Sequence, residues 1–338
     1  MLFNALSASP ALELQAYADI DHFRESERYL QASSIPLTAA PFSVLRASLS
    51  LPSAMLSLVR TFPRIINGYE LAGRLVFVIP MDQIASARLN GQAVRHSIIV
   101  LEGSANCTVF EPEGRLVAIL STRREHLAPK WTNFSDGHLL LGLPQDSLAC
   151  IQTLIQSVLR FAAQQSNPFE GDQLLAIQET LFSTLDEGFR RGAFEGAEKT
   201  VARRYKQIID HIDDAILTNP ASNKTSNELA EELGISVRTL HTAAQSICGT
   251  GIHQYRRLRQ LWLVRQHLRT GYPGLTVKAS GLAHGFRHMG ELSRMYRSAF
   301  GELPSRTLAE AQAGKPALRI ASHGMTPSSS CCGPRSLG

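Results

Sequence analysis

The sequence predicts an α+β protein: a mostly β, barrel-like N-terminal domain followed by two helices, then an all-α C-terminal domain. Three observations lead there. Between Phe42 and about Leu143, short β-branched runs are separated by Gly, Asn and Pro, as strands are separated by turns. After Pro144 the apolar residues recur at helical spacing instead. The charge is also divided: residues 225–308 hold eleven Lys/Arg against five Asp/Glu, and residues 1–224 hold twenty against twenty-three. A chain of 338 residues is long enough for two domains, each with its own core.

In chain order, Leu12 to Tyr29 has helical spacing, and Pro36 and Pro41 interrupt the next stretch. The runs Leu75–Ile79, Ser97–Leu101 and Leu116–Leu120 predict strands of a small barrel or double sheet. Leu148, Ile151, Leu154, Ile155, Val158 and Leu159 mark one helix, and Leu174, Leu175, Ile177, Leu181, Phe182 and Leu185 a second, with a break at Asn167-Pro168. These two helices either pack on the β domain or pair with a second copy of the chain. Residues 186–200, with three glycines, read as linker. The expected division is 1–190 for the first domain, 191–200 for the linker and 201–310 for the helical domain. A disordered tail is expected over 313–338.

No apolar run reaches the roughly 18–20 residues that span a membrane, and the N-terminus lacks a basic, then apolar, export signal. Five scattered cysteines without metal-type spacing read as reduced thiols, so a cytoplasmic protein is expected. His96, His126 and His138 form no ligand pattern, so no metal and no cofactor are expected. Arg95, Arg123 and Arg124 either hold an anionic effector or sit at the surface.

The basic surplus points to a polyanion partner, and the motifs lie in the same place. Arg204 to Leu217 forms an amphipathic helix, ended by Asn219-Pro220. Thr225 and Glu228 then make a capping box, and Leu229, Ala230 and Leu233 form the inner face of a short helix. Gly234 takes the left-handed turn that ends it, Ile235 plugs the corner, and Ser236 caps a second helix anchored by Leu240. Arg238, Thr239, His241 and Thr242 are left to face a groove. Ile252 to Arg269 is a linking helix with Tyr255, Leu258, Leu261, Val264 and Leu268 on one side and Arg256, Arg257, Arg259 and Arg265 on the other. That basic side is either a phosphate-binding face or a solvated one. A second unit comes next in the chain. Thr276-Val277 opens it, Gly285-Phe286 makes its corner, and its second helix runs Arg287 to Arg297. Arg287 and His288 sit on its leading turn, and Arg294 and Arg297 are placed for phosphates.

These residues resemble the DNA-binding domain of the AraC/XylS family of transcriptional regulators. The matching signatures are Leu229-Ala230, Leu233-Gly234-Ile235-Ser236, Arg238-Thr239-Leu240, Tyr255 and Arg257-Leu258-Arg259, then Gly285-Phe286, His288, Gly290 and Ser293-Arg294, and finally Tyr296-Arg297 and Phe300-Gly301-Glu302-Leu303-Pro304-Ser305. The resemblance implies two helix-turn-helix units entering successive major grooves of double-stranded promoter DNA. It also implies an N-terminal domain that senses a small-molecule effector and forms a homodimer, and recruitment of RNA polymerase by an activator that is not an enzyme. A repair enzyme of similar layout would need a cysteine cluster near the N-terminus, and residues 1–106 contain no cysteine. A cupin-type metalloenzyme and a purely architectural DNA binder are the competing readings. Ser280-Gly281, Ala244 and Gly251-Ile252 depart from the family pattern, which predicts looser packing in both units.

Overall fold

The computed structural model describes residues 3–26, 30–37, 42–82, 86–126, 137–194 and 200–314. The tail expected to be disordered lies, from residue 315 on, outside the described residues.

The N-terminal part is built on one antiparallel sheet of eleven strands. In chain order its first members are β1 (Glu13–Tyr17), β2 (Leu30–Pro36), β3 (Val44–Ser50), β4 (Ala54–Arg60) and β5 (Arg64–Pro80). They continue with β6 (Arg88–Leu89), β7 (Gln92–Ala93), β8 (Ser97–Glu111), β9 (Leu116–Arg123), β10 (His138–Gly142) and β11 (Ala193–Phe194). The pairing order is β1-β3-β4-β9-β5-β8-β10-β11, with β2 added on β5 and the β6–β7 hairpin on β8. No ladder among the described residues joins β1 to β11, so the barrel-like sheet stays open. It bends along its long strands: the register of β5 on β8 shifts between Asn67 and Tyr69 and again between Glu70 and Leu75, as bulges do. The first half of β5 therefore pairs with β2, and its second half with β9.

Both faces of this sheet are covered, which explains the continuous apolar runs. On β5, Leu75, Phe77 and Ile79 point into one core with Leu56, Leu58, Val100 and Leu120. The alternate residue Val76 points the other way, to Ile99, Leu101, Cys107 and Leu140. The first core is closed by α2 (Gln145–Ala163) and α3 (Gly171–Arg191) through Leu148, Ile151, Ile155, Leu159, Leu181 and Leu185. These are the two predicted helices, and they pack on the sheet of their own chain. The stretch expected as linker begins as the last turn of α3 and then supplies β11, paired with β10.

The reading of Leu12 to Tyr29 as one helix is corrected. Its first part is β1, paired from Glu13↔Ser48 to Tyr17↔Val44. Asp19 then accepts hydrogen bonds from the backbone N–H groups of Asp21 (2.8 Å) and His22 (3.0 Å). That side-chain cap starts the short helix α1 (Ile20–Ser26). Pairing with β3 outweighs the local spacing.

The C-terminal part is all helical: α4 (Thr200–Thr218), α5 (Ser226–Glu232), α6 (Val237–Cys248), α7 (Ile252–Arg269), α8 (Val277–Ala283), α9 (Met289–Phe300) and α10 (Pro304–Ala313). No helix among the described residues is long and apolar enough to cross a membrane. Phe77 is fully buried on a central strand between β8 and β9. Phe77→Ala is expected to destabilise the protein by about 3–5 kcal/mol, read as a lower midpoint in urea unfolding followed by circular dichroism.

Candidate nucleic-acid interface

The first unit is assembled by local bonds. Thr225 Oγ1 accepts from the Glu228 N–H at 3.3 Å, and the Glu228 carboxylate accepts from the Thr225 N–H at 2.6 Å. The Thr225 N–H, with the Thr225 hydroxyl donating to the same carboxylate at 2.9 Å, holds the Glu228 carboxyl below its ordinary value. Leu229 and Ala230 are buried under the short helix α5. The chain then turns at Gly234, with φ +61°, and the Ile235 N–H closes the corner on the Ala230 carbonyl at 2.9 Å. Ser236 Oγ accepts from the Thr239 N–H at 3.1 Å, capping α6, and Leu240 anchors that helix with no exposed surface.

The second unit repeats this corner. Thr276 Oγ1 accepts from the Ala279 N–H at 3.1 Å. Gly285 turns with φ +81°, and the Phe286 N–H closes on the Gly281 carbonyl at 2.9 Å. The guanidinium of Arg257 lies over the Phe286 ring at 5.0 Å and donates to the Gly285 carbonyl at 3.2 Å. Leu292 and Tyr296 of α9 are fully buried. The Tyr296 hydroxyl meets Thr307 Oγ1 of α10 at 2.8 Å, so the closing segment fixes α9. Between the units, α7 has 18 residues and is about 27 Å long.

Arg238, His241 and Thr242 are exposed on α6, and Thr239 is half-buried. Two of these side chains are engaged locally: Thr239 Oγ1 lies 2.8 Å from Ser236 Oγ, and Thr242 Oγ1 donates to the Arg238 carbonyl at 2.8 Å. Arg287, His288, Arg294 and Arg297 are exposed at the second unit. Its reading helix starts later than predicted, because α9 begins at Met289 with His288 as its N-cap residue. Arg287 and His288 therefore sit on the approach to the helix rather than its first turn.

The linking helix departs from both readings of its basic side. Arg256, Arg259 and Arg265 are buried, neither a phosphate-binding face nor solvated. Arg256 is buried and donates to the carbonyls of Ser222 (3.0 Å) and Lys224. Arg259 pairs with Asp213 of α4 at 2.9 Å. Burial raises the Asp213 carboxyl, against the pull of Arg259 and of the Tyr255 hydroxyl. Arg265 pairs with Asp21 at 2.6 Å and Glu302 at 2.7 Å. Burial disfavours its charge, but Tyr296, Asp21 and Glu302 outweigh that and hold it above its ordinary value. The acidic partners lie far along the chain, so no local spacing signals them. In the first domain, Arg123 and Arg124 are surface residues paired with Glu125 and Glu102, and Arg95 is exposed.

In the second unit the predicted looseness is corrected as well. Ser280 is fully buried, as is Ala244 of the first unit. A Cβ on Gly281 would meet Leu292 Cδ2 at 2.7 Å and Met289 Cε at 3.1 Å, so the small residues let α8 and α9 approach closely.

A helix-turn-helix domain family matches residues 229–310. The chain is 32% identical over 133 residues to XylDLEGF operon transcriptional activator 2 of Pseudomonas putida, covering 39% of this chain and 77% of that protein. The chain belongs to the AraC/XylS family of transcriptional regulators. A second relative of the same organism, XylDLEGF operon transcriptional activator 1, is 33% identical over 105 residues, which is 31% of this chain and 30% of that protein. The chain thus spans under a third of that second relative. Among solved structures it is similar to a probable AraC family transcriptional regulator from Rhodopseudomonas palustris CGA009, with 30% identity, 31% of this chain and 98% of that one covered, and a TM-score of 0.29. It is also similar to the AraC-like transcriptional activator CuxR, with 12% identity, 80% and 100% coverage and a TM-score of 0.39.

The two corner glycines of this AraC/XylS regulator differ in their surroundings. Gly234 has open space where a Cβ would stand, whereas a Cβ on Gly285 would meet Gln260 Nε2 at 2.9 Å and the Pro220 carbonyl oxygen at 3.2 Å. Gly234→Ala is expected to destabilise by about 1–2 kcal/mol, from the left-handed backbone alone. Gly285→Ala is expected to destabilise by more, and urea unfolding of the two variants measures the difference.

Proposed function

We propose that the protein is a sequence-specific transcriptional activator. In this reading α6 and α9 enter successive major grooves on one face of promoter DNA. The observation that supports it best is the duplicated corner. Each unit places a buried anchor, Leu240 or Leu292, beneath exposed basic and polar residues, and the units stand at the two ends of α7. A linking helix of about 27 Å, with the readers flanking it, suits half-sites one helical turn apart, about 34–36 Å.

Residues 201–310 are assigned to DNA binding. Arg238, Thr239, His241 and Thr242 form the reading edge of the first unit, and Arg287 and His288 that of the second. Arg294 and Arg297 are assigned to phosphates. Residues 1–190 form the sensing domain, which takes a small-molecule effector and pairs the chain as a homodimer, with 191–200 as the connection. RNA polymerase is the partner at the promoter. Catalysis forms no part of this reading.

Genome-wide binding of the wild type beside an Arg238→Ala, Arg287→Ala double variant tests it. Discrete promoter peaks that vanish in the variant are expected; diffuse binding by the wild type contradicts the reading. On a promoter so found, Arg238→Ala should weaken binding by about 1–3 kcal/mol and relax the preference at one base pair. Arg294→Ala should weaken binding evenly across sequences and reduce the salt slope by about 1. Competition titrations at several salt concentrations separate the two.

A further inference from the structure

The sheet domain grips the helical domain at both helix-turn-helix units. At the first unit, Phe110 of β8 packs on Gly249, the left-handed C-cap of α6, so closely that a Cβ there would lie 2.0 Å from the ring. The fit is reciprocal. A Cβ on Gly91, in the β6–β7 turn, would meet Ile247 Cδ1 at 3.0 Å and Ser246 Oγ at 3.2 Å. Arg88 of β6 donates to the Gln245 and Ser246 carbonyls at 3.3 and 3.2 Å, which satisfies free acceptors at the helix end.

The grip on the second unit is electrostatic and aromatic. Asp21 of α1 pairs with Arg265 of α7, which also holds Glu302 of the closing segment. Trp262, with 1% exposure, lies in one apolar cluster with Ile20, Phe23, Val44 and Phe62 of the sheet domain, and Phe300 packs against that cluster. The Arg24 guanidinium sits over the Trp262 ring at 4.8 Å. Between the two grips, Asn67 of β5 donates to Asp213 of α4 at 3.1 Å and to the Tyr255 hydroxyl of α7 at 2.5 Å, and Arg259 donates to Ser33 at 3.1 Å. The seam also carries an energetic penalty. Among the described residues, Trp262 Nε1 and Asn67 Oδ1 find no hydrogen-bond partner in it, which suits a contact that is made and released rather than a fused core.

The docked domain leaves Arg238, His241, Thr242, Arg287, His288, Arg294 and Arg297 exposed. We propose that the sheet domain is a splint: docked on α7, it fixes the relative setting of the two units and so raises affinity for DNA carrying both half-sites, without itself covering the reading edges. The proposal rests on the two-groove reading above. Its physical basis is pre-organisation, because two readers already set at one spacing lose less freedom on binding than two that move independently. An effector that favours the docked state would then act as an activator through linkage.

The test uses the full chain with Trp131→Phe, which leaves Trp262 as its one tryptophan, and a promoter duplex recovered by the wild type. Asp21→Asn and Phe110→Ala loosen the two grips separately. Asp21→Asn, at the grip that holds Trp262, should shift Trp262 emission to longer wavelength, and each variant should weaken binding to the full site about 5–150-fold, the usual range of coupling between sites. Affinity for duplexes with one half-site scrambled should stay unchanged, which also shows that the helical domain is folded. Unchanged full-site affinity, despite shifted emission, overturns the splint. Tighter full-site binding overturns it too and makes the sheet domain inhibitory. Equal weakening on full and single sites overturns it as a general loss of stability. A wild type that prefers no promoter overturns the two-groove reading itself, and is recognised before any variant is made.

Discussion

The burial of α7 is the constraint on which the rest of the helical half depends. Eleven of its eighteen residues are buried, three of them arginines, so it has no single apolar stripe. Burying a guanidinium is tolerated only when it is paired and hydrogen-bonded. Each arginine meets that demand with a different piece of the protein: Arg256 with the loop before α5, Arg259 with α4 and β2, and Arg265 with α1 and the segment before α10. The charges that look like a nucleic-acid face therefore act as internal ties, each holding a different neighbour in register. Removing a partner such as Asp213 would leave a buried charge unpaired, which destabilises far more than the pair itself stabilises.

With α7 held by these ties, the two helix-turn-helix corners have a rigid reference. Each corner is specified almost entirely by its own residues: a hydroxyl cap, a left-handed glycine, an apolar plug whose N–H closes on the carbonyl five residues earlier, and a buried anchor. The exposed faces of α6 and α9 then arise from helical periodicity alone, because the residues not needed for the anchor face outward. The basic residues at the units, Arg238, Arg287, Arg294 and Arg297, are free of that structural duty, unlike those on α7.

This division also explains which features are legible in the sequence. Thr225, Glu228, Gly234 and Ser236 act within a few residues of one another, so spacing alone reveals their roles, and the structure shows the same roles. The continuous apolar runs of the sheet and the helices α2 and α3 are equally legible, since each signal lies within one element. The illegible features depend on partners distant in sequence. Leu12 to Tyr29 has helical spacing, yet its first half becomes β1 because β3 lies beside it. Ser280 and Gly281 resemble lost packing in the sequence, yet Leu292 occupies the space that a Cβ on Gly281 would need. The contact of Asp21 with Arg265 joins α1 of the first domain to α7 of the second, and neither residue stands in a pattern that points to the other.

The central claim, that α6 and α9 read one face of DNA together, is tested most directly by a hydroxyl-radical footprint of the full chain on its promoter. Two protected patches on the same face of the duplex, centred about 10–10.5 bp apart, are expected. A single patch, or two patches on opposite faces, would contradict it.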